Sequence, residues 1–224
     1  MNPRPVDKRL WPQVGLIRSY FPTLNGWFAV GTGTLINSRA VLTAGHVVYD
    51  HLRGGKANRF EIVFGGGATT SSLGTNGRVL NEFISSNPNP NDPRSPYDLG
   101  VILLSAEDAV NGVTPASVFQ TKPANLVGLE INLVGYPVIQ TVYDVLYGAN
   151  SPALNPGQPW NGYLVNYNVN TIEGMSGGPV YPTVTTPTNL GVRAIHTCLY
   201  NGMGYALTIY EGLANQIGRW LDEL

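Results

Sequence analysis

The sequence predicts an all-β protein, and three observations carry that expectation. Gly and Pro are abundant, 27 and 17 of 224 residues, which breaks a chain into short elements and many turns. The apolar stretches are short and bounded by turn residues. Several alternate apolar and polar residues, as in Tyr163-Leu164-Val165-Asn166-Tyr167-Asn168-Val169, the pattern of a half-buried strand.

Taken in order, strands are expected at 13–20, 27–36, 40–44, 60–64, 78–84 and 100–104, then at 130–136, 140–147, 162–169, 178–183, 191–198 and 204–210. Loops rich in Pro and Asn are expected at 87–96, 150–159 and 182–189. A polar stretch at 105–127, with Pro115 and Pro123, separates the two halves. The expected organisation is a first unit over 1–110, a linker over 111–127, a second unit over 128–210 and a terminal helix over 211–224. The tail differs from the rest. Leu213, Ile217, Trp220, Leu221 and Leu224 share one helical face.

Composition narrows the function. Apolar residues make up 43%, enough for a core, and charged residues only 12%, which argues against intrinsic disorder. Net charge is −1 with no basic patch, so nucleic acid is not an expected partner. No apolar run approaches the length of a membrane span, so a membrane is not expected either. Cys198 is the single cysteine, which excludes an internal disulfide. The start, Met1-Asn2-Pro3-Arg4-Pro5, lacks the apolar core of a signal peptide. A native Met1 therefore implies a cytoplasmic protein; otherwise a mature secreted bacterial enzyme fits.

One run concentrates chemistry: Glu173-Gly174-Met175-Ser176-Gly177-Gly178-Pro179-Val180. A serine is a poor nucleophile unless a base takes its proton and donors hold the oxyanion it creates. Small neighbours let backbone N–H groups converge on a reacting carbonyl. The run Leu42-Thr43-Ala44-Gly45-His46-Val47-Val48 offers a histidine. Asp98, in Ser95-Pro96-Tyr97-Asp98-Leu99-Gly100, offers a carboxylate leading into an apolar strand. The alternatives are a structural histidine near a turn, a plain Gly-Ser-Gly turn, and another acid among Asp50, Asp92, Asp108 and Asp144.

The order His, Asp, Ser and these motifs resemble the chymotrypsin-like serine proteases. That resemblance implies two six-stranded antiparallel β-barrels, a C-terminal helix and an active site between the barrels. It implies His46 as general base, Asp98 as its orienting partner, Ser176 as nucleophile, and the Gly174 and Ser176 amides as the oxyanion hole. No cofactor or metal is implied, and the partner is a peptide or protein substrate. Animal members carry an aspartate where Met175 stands, which receives the amine freed by zymogen cleavage. Met175 cannot accept that charge, so this activation route is excluded.

The resemblance is nearest to the bacterial glutamyl endopeptidases. It rests on Thr43-Ala44-Gly45-His46-Val47-Val48-Tyr49-Asp50, Val134-Gly135-Tyr136-Pro137 and Ala194-Ile195-His196-Thr197. It implies a specificity pocket built from Thr171, five residues before Ser176, with His196 and Thr197. A hydroxyl and an imidazole N–H both donate to a carboxylate. Cleavage after Glu is expected, with Asp and Gln as neighbouring choices. Glu173 opposes acidic specificity if it points into the pocket mouth, and not if it points to solvent. Bulky Leu199 narrows the mouth, and Cys198 is either a small buried hydrophobe or a cleft residue. The rival classes are a regulated intracellular or stress-response protease of other specificity and a non-catalytic binding module.

Overall fold

The computed structural model describes residues 1–86, 94–139, 144–157, 162–183 and 191–224. Two antiparallel sheets dominate it. The first contains β1 (Val14–Tyr20), β2 (Ala29–Asn37), β3 (Ala40–Thr43), β4 (Arg59–Phe64), β5 (Thr69–Leu73), β6 (Gly77–Val79) and β7 (Gly100–Leu103). Its spatial order is β5-β4-β1-β2-β3-β7-β6. The second contains β8 (Glu130–Gly135), β9 (Tyr147–Leu154), β10 (Leu164–Tyr167), β11 (Pro179–Pro182), β12 (Ala194–Tyr200) and β13 (Met203–Thr208). These six close into a ring in the order β9-β8-β11-β12-β13-β10, because β9 also pairs with β10. The short strand Arg4–Pro5 adds to the outer edge of β9.

The expected all-β architecture with a C-terminal helix is present. The second barrel closes through backbone pairing. The first is an open seven-stranded sheet, with β5 and β6 at its edges. Hydroxyls bridge its seam: Ser72 Oγ donates to the Leu103 carbonyl at 2.7 Å, and Thr70 Oγ1 to the Asp108 carbonyl at 2.9 Å. Closing a barrel removes strand edges, and here side chains take over where the ladder stops.

Three local expectations differ from the structure. The stretch expected as a strand at 78–84 is β6 followed by a short helix, α2 (Asn81–Ser86). Leu80, Phe83 and Ile84 fall at i, i+3 and i+4, a helical spacing that strand alternation does not match, and Phe83 is buried. The loop expected at 150–159 begins as the second half of β9. Ser151 and Ala153 point inward there and Pro152 pairs opposite Glu130. Of the strand expected at 140–147, residues 140–143 lie outside the described residues. The strand expected at 191–198 is divided. Gly191–Val192 pairs in parallel with Ser117–Val118, and β12 starts only at Ala194.

One apolar cluster joins both sheets. Val14, Leu16, Leu42 and Val101 of the first meet Val134, Leu164 and Ile195 of the second, with Leu213, Ile217 and Trp220 of α3 (Glu211–Leu221) in the same cluster. Each sheet has its own interior besides. No helix among the described residues is long and apolar enough to cross a membrane.

Candidate active site

His46 lies in the one-turn helix α1 (Gly45–Val48), directly after β3. Asp98 precedes β7, which pairs with β3. That pairing brings the two together across 52 residues of chain. The Asp98 carboxylate accepts twice from His46, from the backbone N–H at 2.8 Å and from Nδ1 at 2.8 Å. Asp98 is buried, whereas the His46 side chain stays 35% exposed. Gly45 fits closely beside them, because a Cβ there would lie 3.0 Å from Asp98 Oδ1. Burial opposes charging His46, but the neighbouring Asp98, by charge and hydrogen bond, more than offsets it. The imidazole is held above its ordinary 6.5.

Ser176 sits on the turn between Ile172 and β11. The turn is tied from both sheets. Thr32, on β2, donates its N–H to the Ser176 carbonyl at 2.8 Å and its hydroxyl to the Gly174 carbonyl at 2.8 Å. The same hydroxyl accepts from the Tyr136 N–H at 2.9 Å. Thr43 donates to the Thr32 carbonyl at 2.7 Å. From the second sheet, the Gly177 N–H donates to the His196 carbonyl at 2.7 Å. A Cβ on Gly177 would collide with the Thr32 carbonyl, Thr43 Oγ1 and the Ala44 N, two residues from His46. The serine turn therefore lies against the end of the strand that delivers His46. The Ser176 hydroxyl itself donates to the Thr197 carbonyl at 3.3 Å.

Gly174 has φ +92°, a backbone state that side chains resist, and it packs against the Tyr136 carbonyl. The Glu173 carbonyl accepts from the Val138 N–H at 2.7 Å. In a trans peptide the next N–H points the opposite way, so the Gly174 amide faces away from Val138. Among the described residues, the Gly174 and Ser176 amides carry no hydrogen bond. Two neighbouring N–H groups without a protein acceptor are what a developing oxyanion needs.

His196 lies on β12 and is buried with Thr197 and Thr171. Its Nδ1 is 2.6 Å from the Tyr167 hydroxyl and 3.0 Å from the Tyr205 carbonyl. Burial pushes the ring down to about 3, against the Tyr205 hydrogen bond that favours its charge. Thr171 Oγ1 is buried without a partner among the described residues. Thr197 is the extra residue of a β-bulge, because His196 pairs with Ala206 and Cys198 already with Tyr205. The bulge turns the Thr197 carbonyl to Ser176. Glu173 is 75% exposed and lies 3.8 Å from Arg53. Cys198 is half-buried.

Thr32 and Thr43 were not expected from the sequence. The available signal was a threonine between two glycines, Gly31-Thr32-Gly33. Among the described residues no group of three or more His, Cys, Asp or Glu side chains is placed to hold a metal ion.

The family described as the trypsin-like peptidase domain matches residues 31–183. The chain is 28% identical to a glutamyl endopeptidase of Bacillus licheniformis over 178 residues, 78% of this chain and 53% of the relative. It is 26% identical over 194 residues to a protein of Bacillus subtilis named extracellular metalloprotease, 86% of this chain and 58% of the relative. The chain thus spans little more than half the length of these relatives. A solved Glu endopeptidase superposes with TM-score 0.73 at 20% identity, over 97% of this chain and 95% of that one. The matched stretch contains the His46, Asp98 and Ser176 segments and covers well over half of the sequence, so the chain belongs to the trypsin-like peptidase domain family.

Proposed function

We propose that this protein is a serine endopeptidase that cleaves after Glu through an acyl-enzyme. The observation that carries the reading is the Asp98 carboxylate, buried and bonded to both the backbone and Nδ1 of His46. That arrangement leaves Nε2 of His46 as the base and stabilises the imidazolium formed when it takes a proton. The Ser176 hydroxyl leaves the Thr197 carbonyl, passes its proton to His46 and attacks the scissile carbonyl. Catalytic hydrogen bonds often tighten only when substrate is bound. The Gly174 and Ser176 amides hold the oxyanion. His46 then returns the proton to the leaving amine, and water repeats the sequence on the acyl-enzyme.

Glu preference is supported by three features. Among the described residues, Thr171 has an unpartnered buried hydroxyl, and His196 is hydrogen-bonded through Nδ1. Both segments meet the serine turn, through the Gly177 N–H to His196 and the Met175 N–H to Ile172. Similar proteins carry the names glutamyl endopeptidase and Glu endopeptidase.

A mixed peptide library tests activity and pocket together. Wild-type protein is expected to cut after Glu, with Gln next. Ser176→Ala is expected to lose all turnover with the fold intact by circular dichroism. His196→Ala or Thr171→Val is expected to lower cleavage after Glu selectively. Full activity in the Ser176 variant, or an unchanged preference in both pocket variants, would refute the corresponding part.

A further inference from the structure

We infer that Arg53 recognises an acidic residue in the departing part of the substrate, after the scissile bond, and that Glu173 occupies its guanidinium until that residue arrives. The inference rests on the endopeptidase reading above and concerns residues outside the Thr171 and His196 pocket. Arg53 ends the turn His51–Arg53, which follows α1 and so belongs to the histidine side. Glu173 directly precedes Gly174 and belongs to the serine side. Their side chains approach to 3.8 Å, Nη2 to Oε1, an ion pair between the two loops that carry the reacting groups. The charge of Arg53 reaches His46, where it opposes protonation, whereas Asp50 favours it.

The guanidinium is held in place without being fully engaged. Its Nε lies 3.4 Å from Asp50 Oδ2, and its carbon 5.9 Å from the centre of the Phe21 ring. Asp50 is itself fixed, since its Oδ1 accepts from the Leu52 N–H at 2.8 Å. Among the described residues Arg53 makes these two ion pairs and no hydrogen bond. Its N–H donors thus face two carboxylates at loose distances. The Glu173 side chain is largely in water, and an exposed pair of this kind contributes little. A substrate carboxylate that brings both oxygens to hydrogen-bonding distance of the fork binds more strongly than the contact it replaces. Glu173 then turns to solvent at small cost.

The direction follows from the reaction. His46 hands its proton to the departing amine, so the departing residues pass over what borders His46 and the Gly174 amide. Those borders are the 51–53 turn, Glu173 and Val30, whose Cγ1 would lie 3.0 Å from a Cβ on Gly174. Two large apolar side chains stand exposed around the charge. Leu52, beside Arg53, is 84% exposed, and Trp27, three residues before Val30, is 76% exposed. The loops that carry them pack together. A Cβ on Gly54 would lie 3.1 Å from Thr23 and 3.3 Å from Pro22, and the Trp27 N–H donates to the Leu24 carbonyl at 2.8 Å. A cation flanked by exposed apolar side chains suits a departing segment that carries an acid among apolar residues.

The test is the ratio of kcat/KM for two peptides with Glu before the scissile bond and either Asp-Asp or Asn-Asn after it. The ratio cancels any change in His46, which both peptides share. In wild-type protein the acidic peptide is expected to be favoured by about threefold or more at low salt, and the advantage to shrink as salt screens the charges. Glu173→Gln removes the competitor and is expected to raise the ratio by about two- to threefold. Arg53→Gln leaves Asp50 and Glu173 unopposed and is expected to bring the ratio below one, whereas Arg53→Lys keeps it above one. A ratio unmoved by Arg53→Gln, whatever its wild-type value, would overturn the proposal and leave the endopeptidase reading standing. So would a ratio unmoved by Glu173→Gln, an exposed position where the fold is not at risk. A wild-type protein that cleaves neither peptide would overturn that reading and this proposal with it.

Discussion

Asp98 makes the case at the scale of single residues. Its two oxygens take the backbone N–H and the Nδ1 of the same histidine, which fixes both the position of His46 and the face it turns outward. Asp98→Asn keeps the shape but offers a donor where an acceptor is needed. It is expected to lower kcat by about 10³–10⁴. The pH profile carries a second expectation. His46 acts as a base only when neutral, and Asp98 holds it above 6.5. Activity in wild-type protein is therefore expected to rise with pH through a midpoint above 6.5, and a midpoint below 6.5 would contradict the assignment. The three motif residues were legible in the sequence because each sits in a distinctive local run. Glu173 was not, since exposure and the pairing with Arg53 depend on a neighbour 120 positions away.

Among elements, β2 matters more than its sequence suggested. Its Thr32 ties the serine turn through two hydrogen bonds and takes a third from the Tyr136 N–H, although it belongs to the other sheet. Thr32→Val removes the hydroxyl without changing volume much, and leaves the Gly174 carbonyl and Tyr136 N–H unpaired. Misplacing the oxyanion donors in this way is expected to lower kcat by about 10–10² with a smaller change in KM. Thr32→Ser keeps the hydroxyl and is expected to restore most of the loss, which a purely volumetric role would not explain. Elements with a clear apolar rhythm, such as β1, β4 and α3, were legible from the sequence to within a few residues. β5 was not, because its inward positions are Thr70 and Ser72, hydroxyls that serve the seam rather than the core. The start of α2 was obscured because the helix is only six residues long, so the i, i+3, i+4 spacing of Leu80, Phe83 and Ile84 covers little more than one turn directly after a strand.

The whole molecule is two sheets sharing an apolar cluster, with the serine turn held from both sides. Stability and pH are linked through buried His196. Its ring is pushed to about 3, whereas an unfolded histidine titrates near 6.5. Between those values the unfolded chain binds the extra proton, so this contribution to stability is present above about 6.5 and fades as pH falls towards 3. His46 has the opposite sign: raised above 6.5, it stabilises below that value and loses its contribution as pH rises through its folded value. The melting temperature of wild-type protein is expected to fall more steeply below pH 6.5 than that of His196→Gln. Parallel slopes would show that His196 is not buried neutral. The all-β class was readable from turn density and alternation. Closure of one sheet and opening of the other was not, because it depends on which edges meet, and no local pattern encodes that.

The central claim is that Ser176 is activated by His46 and Asp98. Intact-mass analysis after treatment with a fluorophosphonate tests it most directly. One adduct is expected, mapping to Ser176, absent from Ser176→Ala and formed far more slowly in Asp98→Asn. A folded wild-type protein that takes no adduct, or a Ser176→Ala protein labelled at the wild-type rate, would contradict the claim.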